Sequence, residues 1–128
     1  TTINRRGEWS MARARIARGE TTERNIPFSA LHVEMRNADL ILLSEGEDQL
    51  GTLAVAVPQE RGRLGPPLSS VLLGERNMLL ARLLAERLAE KSRKITLVSV
   101  FVKAIGETEA GPILLKLVDK TIQGEGKP

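Results

Sequence analysis

Apolar and polar residues alternate along much of the first half of the chain. Apolar residues recur at every second position in residues 28–35 and 50–57, and a short apolar run occupies residues 40–44 between them. Alternation is typical of strands with one buried face. Polar turn-forming clusters at 36–39 and 45–48 separate the runs. The pattern therefore predicts an antiparallel meander.

The second half of the chain changes period. After Pro58 and a loop at 59–67, residues 68–73 form another apolar run. Leu80, Leu84 and Leu88 then recur at helical spacing and predict a helix over 75–91. Residues 94–103 are apolar at odd and even positions, which is typical of a central strand covered on both faces. A last helix is predicted over 109–123, with Pro112 in its first turn and Gly124 as its stop.

These elements predict an α+β fold, in which an antiparallel sheet of five to six strands carries two helices on one face. Two helices cover only one face of such a sheet. Monomeric proteins rarely leave a large apolar face in water. We therefore expect the other face to form a dimer sandwich, with an interface made by the valines and leucines of two strands: Val98, Val100, Val102, Leu40 and Leu42.

Length and composition fit one domain and restrict the chemistry. The chain has 128 residues, of which 41% are hydrophobic and 27% charged. Its apolar runs are far shorter than the roughly 18–20 residues of a bilayer span, and no signal segment opens the sequence, so we expect a cytoplasmic protein without membrane contact. The chain has no cysteine, and Arg and Glu outnumber Lys and Asp, a composition typical of a thermophilic source.

The net charge of +3 is concentrated at one end of the sequence. Residues 1–24 hold six arginines and three glutamates, whereas the rest of the chain is neutral. We therefore divide the chain into a basic N-terminal segment (1–24) that forms an edge strand, an α+β domain (25–124) and a frayed tail (125–128). An arginine-rich segment with Trp9 as a stacking platform is also one way to bind nucleic acid. With glutamates in the segment and only three aromatic residues in the chain, this stays the third alternative for function.

No catalytic or metal-binding pattern emerges from the sequence. His32 is the only histidine, and with Glu34 it lacks a third metal ligand. The chain has no Gly-x-Ser-x-Gly elbow, and the glycines at 62–65 lack the Lys-Ser/Thr ending of a phosphate loop. We expect no catalytic residue, no metal and no cofactor, and interpret His32 as a partly exposed structural residue.

One set of motifs carries a resemblance to a known family. It consists of Leu50-Gly51-Thr52-Leu53, Ser70-Val71-Leu72-Leu73-Gly74-Glu75, the leucine-rich helix and the strand at 95–103. In content and order, over residues 11–122, it resembles the small proteasome assembly chaperones, namely the third and fourth members in eukaryotes and their archaeal relatives. The resemblance implies a sheet with two helices on one side and a homodimer or heterodimer joined through the sheets. It also implies a non-enzymatic role, in which the protein binds 20S proteasome α subunits and promotes α-ring assembly.

The sequence departs from this family at one point. Some archaeal relatives dock through a C-terminal hydrophobic-tyrosine-any tail, but this sequence ends Gly126-Lys127-Pro128 and has no tyrosine. We therefore expect a loop or a face of the domain to contact the partner, and choose three charged residues of the loop at 59–65: Glu60, Arg61 and Arg63. The alternative class is a dimeric scaffold or adaptor of the roadblock or longin kind, which also combines a small sheet with helices.

Overall fold

The alternating segments form strands in a computed structural model, which describes residues 2–3, 9–10, 14–60, 65 and 67–125. A small two-stranded ladder pairs β1 with β2. The other six strands form one sheet, and two helices follow β7 and β8 in the chain. The bounds are β1 Thr2–Ile3, β2 Trp9–Ser10, β3 Arg15–Glu23, β4 Ile26–Glu34, β5 Ala38–Glu45, β6 Thr52–Val57, β7 Leu68–Leu73, α1 Met78–Ser92, β8 Ile95–Phe101 and α2 Glu107–Glu125.

The six-stranded sheet has the order β3-β4-β5-β8-β6-β7. Six strands with two helices confirm the α+β class. The sheet is mixed, however, because β5 and β8 are parallel while the other neighbours are antiparallel. The chain leaves β5, passes over the position of β8 to form β6 and β7, and returns through α1. The expectation of a wholly antiparallel sheet was wrong at this pair, because β8 enters between β5 and β6 by a crossover that local alternation does not reveal.

Both helices pack on the same side of the sheet. Helix α1 contacts β6, β7 and β8, and α2 contacts β3 and β4. Helix α1 buries a leucine row and an alanine row against the small Ala54 and Ala56 of β6. Helix α2 approaches β3 closely, since a Cβ at Gly19 would lie 2.0 Å from Thr121 Oγ1. The core lies in this single layer between sheet and helices.

The helix boundaries differ from those that the sequence predicts. Helix α1 begins at Met78 because Gly74 (φ 93°) and Asn77 (φ 64°) adopt left-handed conformations, and Asn77 Nδ2 donates to the Val102 carbonyl at 3.0 Å. Helix α2 begins at Glu107 and passes through Gly124 to Glu125, so Gly124 is not its stop. Pro112 therefore lies in the second turn, on the exposed side of the helix. There, solvent can satisfy the carbonyl group that the missing N–H leaves free.

Val98 and Val100 of β8 face the helices and not the side of the sheet where the interface was predicted. Val98 pairs with Ile41 and Val100 with Leu43, all four lie in the core beneath the helices, and Val102 is buried just after the strand. The expectation that Val98, Val100 and Val102 lie on the uncovered face was wrong. Because both faces of β8 are apolar, its own pattern cannot indicate which one the helices cover.

Neither described helix is long and apolar enough to cross a membrane.

Candidate protein-interaction surface

The side of the sheet away from the helices carries a continuous aliphatic surface, which we call the open sheet face. Strand alternation and the registers place its residues on four neighbouring strands. All of them are half-buried, and within the described part of the chain no helix packs over them. The residues are Leu31, Val33, Leu40, Leu42, Leu53, Val55 and Leu97.

The open sheet face consists of two rows that cross the strands. One row runs through Val33, Leu40, Leu97 and Val55, and the other through Leu31, Leu42, Ser99 and Leu53. Neither row contains a charged residue. An aliphatic surface of this kind marks a place where proteins associate.

One end of the open sheet face is covered by the connection from β5 to β6, residues 46–51, which we call the serine-held loop. Ser29 Oγ donates to the Gly46 carbonyl at 3.1 Å. Ser44 Oγ and the Gln49 backbone exchange hydrogen bonds at 3.0 and 3.2 Å, and Gly51 N donates to Ser99 Oγ at 2.8 Å. Ser44 and Ser99 are completely buried although their side chains are on the open side, because this loop lies over them.

Gly51 allows the loop to lie directly against β8. A Cβ at this position would be 2.1 Å from the Val100 carbonyl oxygen and 2.7 Å from Phe101 Cα. Both atoms belong to backbone that is fixed in the sheet, so any larger residue would push the loop outward.

At the opposite end of the open side, apolar residues continue to the last pairs of the sheet. Ala38 pairs with Ile95, and Val57 pairs with Leu68, on four neighbouring strands. Ile95, Val57 and Leu68 are 42%, 47% and 71% exposed. The surface therefore stays apolar to its edge.

His32 lies on the helix side of the sheet, in a buried polar cluster. It was expected to be partly exposed, but only 4% of it is accessible. Its Nε2 lies 3.2 Å from Asp39 Oδ1, and Lys94 Nζ lies 3.4 Å from the same oxygen. The expectation was wrong because His32 shares its face with the core residues Phe28 and Ala30.

Glu34 extends this cluster toward solvent. The pKa of Glu34 is held below its ordinary value chiefly by the hydrogen bond from Arg15; burial opposes this, and the Arg15, Lys94 and His32 charges add to it. A cavity of about 240 Å³ borders the cluster, and its walls include Ile41, Leu88 and Ile122. Among the described residues, no group of three His, Cys, Asp or Glu side chains could hold a metal. Contacts between charged side chains therefore connect β4, β5 and the residue just before β8.

Three arginines of the basic segment pair with carboxylates of the domain. Arg15 lies 2.6 Å from Glu34 and Arg18 2.7 Å from Asp48, and Arg24 forms an ion pair with Glu109. Residues Arg15–Glu23 form the edge strand β3 beside β4. Arg5, Arg6 and Arg13 lie outside the described residues. The described part of the segment therefore presents neutralised arginines, not a free basic patch.

The structure places the predicted interface and loop residues in different parts of the molecule. Leu40 and Leu42 lie on the open sheet face, whereas the three valines lie in the core. Glu60 is exposed at the end of a described stretch, and Arg61 and Arg63 lie outside the described residues. Sequence reasoning missed most of the open sheet face, including Leu97. The alternation of Leu31 and Val33, and of Leu53 and Val55, with residues buried on the other face is the signal that could have found part of it. The position of Leu97 depends on the register of β8 with β5.

A six-stranded mixed sheet with helices on one side only defines a small α+β protein with one open sheet face. Among solved structures, the chain is similar to a chain of a chaperone complex for yeast 20S proteasome assembly. The TM-score is 0.63 with 11% sequence identity, over 88% of this chain and 94% of the other. This likeness is one of fold. No protein-family model matches the sequence, and no curated protein matches it.

Proposed function

We propose that this protein is a non-enzymatic chaperone of proteasome assembly, which acts in the cytoplasm, binds 20S proteasome α subunits as a dimer and promotes formation of the α-ring. The observation that carries the proposal is the open sheet face on a fold shared with a yeast 20S proteasome assembly chaperone complex. An aliphatic face with no described covering layer requires a protein partner.

The geometry suggests how such a protein works. Leu40 and Leu42 lie at the centre of the open sheet face, where a second copy or a paralogue packs its own sheet. The dimer then presents the remaining surface to α subunits as a rigid unit. Holding subunits in one arrangement reduces the entropy lost when a ring closes, and occupied surfaces are blocked from wrong contacts.

We propose that the charged loop that follows β6 contacts the α subunits. Glu60 is exposed there, and Arg61 and Arg63 follow it in the sequence. Glu60 follows the end of β6 by three residues, so we infer that a subunit can reach this loop while the open sheet face is occupied. Connecting loops of this kind often carry the recognition residues of a rigid scaffold.

The alternative functions make different predictions. A roadblock- or longin-like scaffold would use the same open sheet face without recognising α subunits. Binding of nucleic acid through the basic segment is disfavoured by the ion pairs of Arg15, Arg18 and Arg24, because paired arginines displace fewer counterions when they meet phosphate.

Native mass spectrometry of the protein mixed with proteasome α or β subunits tests the proposal. We expect dimers of the protein, and complexes with α subunits in preference to β subunits. Reversing the loop charges with Glu60→Lys, Arg61→Glu and Arg63→Glu should remove the α-subunit complexes and leave the dimer. The matched control, Leu83→Asp, changes a side chain that is 52% exposed on α1 and should alter neither. Equal binding of α and β subunits, or of neither, would refute the chaperone role.

A further inference from the structure

Strand β3 is a long and regular edge of the sheet. It pairs with β4 over nine consecutive residues without a register shift, whereas the pairing of β7, the other edge strand, shifts register between Leu53 and Ala54 of β6. Among the described strands, β4 is the one that pairs with β3. A regular edge of this kind can take up a further strand from another chain.

The backbone groups of Glu20 and Thr22 point to the outer side of β3. Lys120 Nζ donates to the Glu20 carbonyl at 3.0 Å. Pro27, which lies opposite Thr22, has no N–H, and its carbonyl accepts from Gly46 N on the side away from β3. Because hydrogen-bonded and non-hydrogen-bonded pairs alternate in an antiparallel ladder, Glu20 and Thr22 direct both their N–H and C=O groups outward. Both residues are exposed.

Helix α2 forms a groove with this edge, which we call the edge groove. Its volume is about 310 Å³. All of its lining residues belong to the described part of the chain, and they come from β3 (Thr21 and Glu23) and from α2 (Ile113, Lys116, Leu117 and Lys120). The added strand of such a complex places alternate side chains in a pocket of this kind.

The charges of the edge groove favour an acidic occupant. Lys116 and Lys120 are exposed, and neither forms a salt bridge with a described residue. Glu23 is the one carboxylate in the lining, so the net charge is positive. Arg18 does not compete for the occupant, because it points to the open side and pairs with Asp48 at 2.7 Å. Carboxylates on the helix side of an added strand would therefore meet the two lysines.

A second copy of this chain does not fit against the same edge. A Cβ at Gly19 would lie 2.0 Å from Thr121 Oγ1, so α2 lies above the edge strand itself. Two antiparallel β3 strands side by side would place both α2 helices on one side, about one strand spacing or roughly 4.8 Å apart. Packed helices need about 8–10 Å between their axes. The occupant is therefore a single extended segment without a helix above it.

We propose that the outer edge of β3 binds an extended acidic segment of a partner protein as an additional strand of the sheet, antiparallel to β3. The segment exchanges backbone hydrogen bonds with Glu20 and Thr22, and its helix-side carboxylates contact Lys116 and Lys120. Lys120 then releases the Glu20 carbonyl to an N–H of the added strand. Antiparallel pairing is the more stable arrangement per residue. The edge groove is separate from the open sheet face, so the inference goes beyond the proposed function.

A peptide of nine residues that alternates valine and glutamate, blocked at both ends and labelled with a fluorophore, is the probe. We expect saturable binding in fluorescence anisotropy. Lys116→Glu with Lys120→Glu should weaken it about tenfold, because two attractive pairs become repulsive. The matched control, Lys91→Glu with Lys103→Glu, changes the net charge equally at two exposed lysines outside the edge groove and should keep the affinity within about twofold. Equal losses in both double variants, or no saturable binding, would overturn the proposal.

Methylation of the peptide backbone tests strand addition separately from charge. Thr21 pairs with the core residue Phe28, so Glu20 and Thr22 point to the open side. Residues opposite each other in neighbouring strands point to the same side, so the valines lie opposite Glu20 and Thr22 when the glutamates face the helix. We expect methylation of the valine nitrogens to abolish binding and methylation of the glutamate nitrogens to preserve it, although both peptides keep every charge. Any other pattern would overturn antiparallel strand addition.

The outcomes separate this inference from the proposed function. The loop variant Glu60→Lys, Arg61→Glu and Arg63→Glu should bind the peptide with unchanged affinity, since the loop does not line the edge groove. Failure of the unaltered protein to bind α subunits would refute the proposed function and leave this inference intact. Failure to bind the peptide would refute only this inference.

Discussion

The His32, Asp39 and Lys94 contacts show what the structure adds at the scale of single residues. The sequence contains one histidine and few aspartates, with no spacing that would join them. The fold brings His32 and Asp39 together on adjacent strands and places Lys94 at the start of β8 beside them. Asp39 is 5% exposed, so its carboxyl group finds its polar contacts among these partners instead of in bulk water.

Removing the Asp39 carboxylate should destabilise the fold. We expect Asp39→Ala to lower the free energy of unfolding by about 1–3 kcal/mol, because the change removes a buried acceptor beside His32, while Lys94 keeps the Met35 carbonyl at 3.0 Å and Glu34 at 3.7 Å. Urea denaturation followed by circular dichroism measures the difference.

The matched control for this change is Asp119→Ala. Asp119 lies 3.9 Å from the exposed Lys91, so the loss of this surface pair should cost about 1 kcal/mol or less. Equal effects of the two substitutions would show that burial of the Asp39 pair contributes nothing.

At the scale of elements, α1 shows how far a hydrophobic pattern can predict structure. Its leucines form two rows in the sequence, and only the row of Leu80, Leu84 and Leu88 is buried. Leu79 and Leu83 are 57% and 52% exposed, on the side away from the sheet. The period of the helix was predictable, but both rows lie opposite the charged residues in the sequence pattern, so the pattern did not separate the buried row from the exposed one.

Neighbouring leucines of α1 should therefore respond differently to truncation. Leu84 is 4% exposed, and we expect Leu84→Ala to cost about 2–5 kcal/mol of stability through lost burial and a residual cavity. Leu83→Ala should change stability by about 0.5 kcal/mol or less. Chemical denaturation of both variants measures these losses, and similar values for the two would contradict the packing of α1 against the sheet through its Leu84 side.

Strand β8 shows why part of the candidate site could not be predicted. Leu40 and Leu42 lie on the side of the sheet away from the helices, but their strand is apolar at the four consecutive positions 40–43, so its own pattern does not decide between the two faces. Val98 and Val100 were assigned to that side wrongly, because both faces of β8 are equally apolar. The covered face depends on the parallel register with β5, which pairs Val98 with Ile41. That register comes from a long connection through β6, β7 and α1, and no local pattern encodes such a connection.

For the whole molecule, the decisive property is that helices cover one side of the sheet only. The buried leucines and valines of the core are enclosed by one chain, whereas the leucines of the open sheet face stay half-buried. A dimer through this face would complete a second core, and its stability would depend on protein concentration. Binding that stabilises only the folded state raises the unfolding temperature by mass action.

Thermal unfolding at different concentrations tests this property. We expect the Tm of the protein to rise by several degrees between about 1 and 100 µM, since a hundredfold excess over the dissociation constant contributes about 2.7 kcal/mol. Leu42→Asp places a charge at the centre of the open sheet face, so its Tm should be independent of concentration. Leu83→Asp keeps the open sheet face intact and should show the same rise as the unaltered chain. A Tm of the unaltered protein that stays constant over this range would mean that its open sheet face does not bind a second copy.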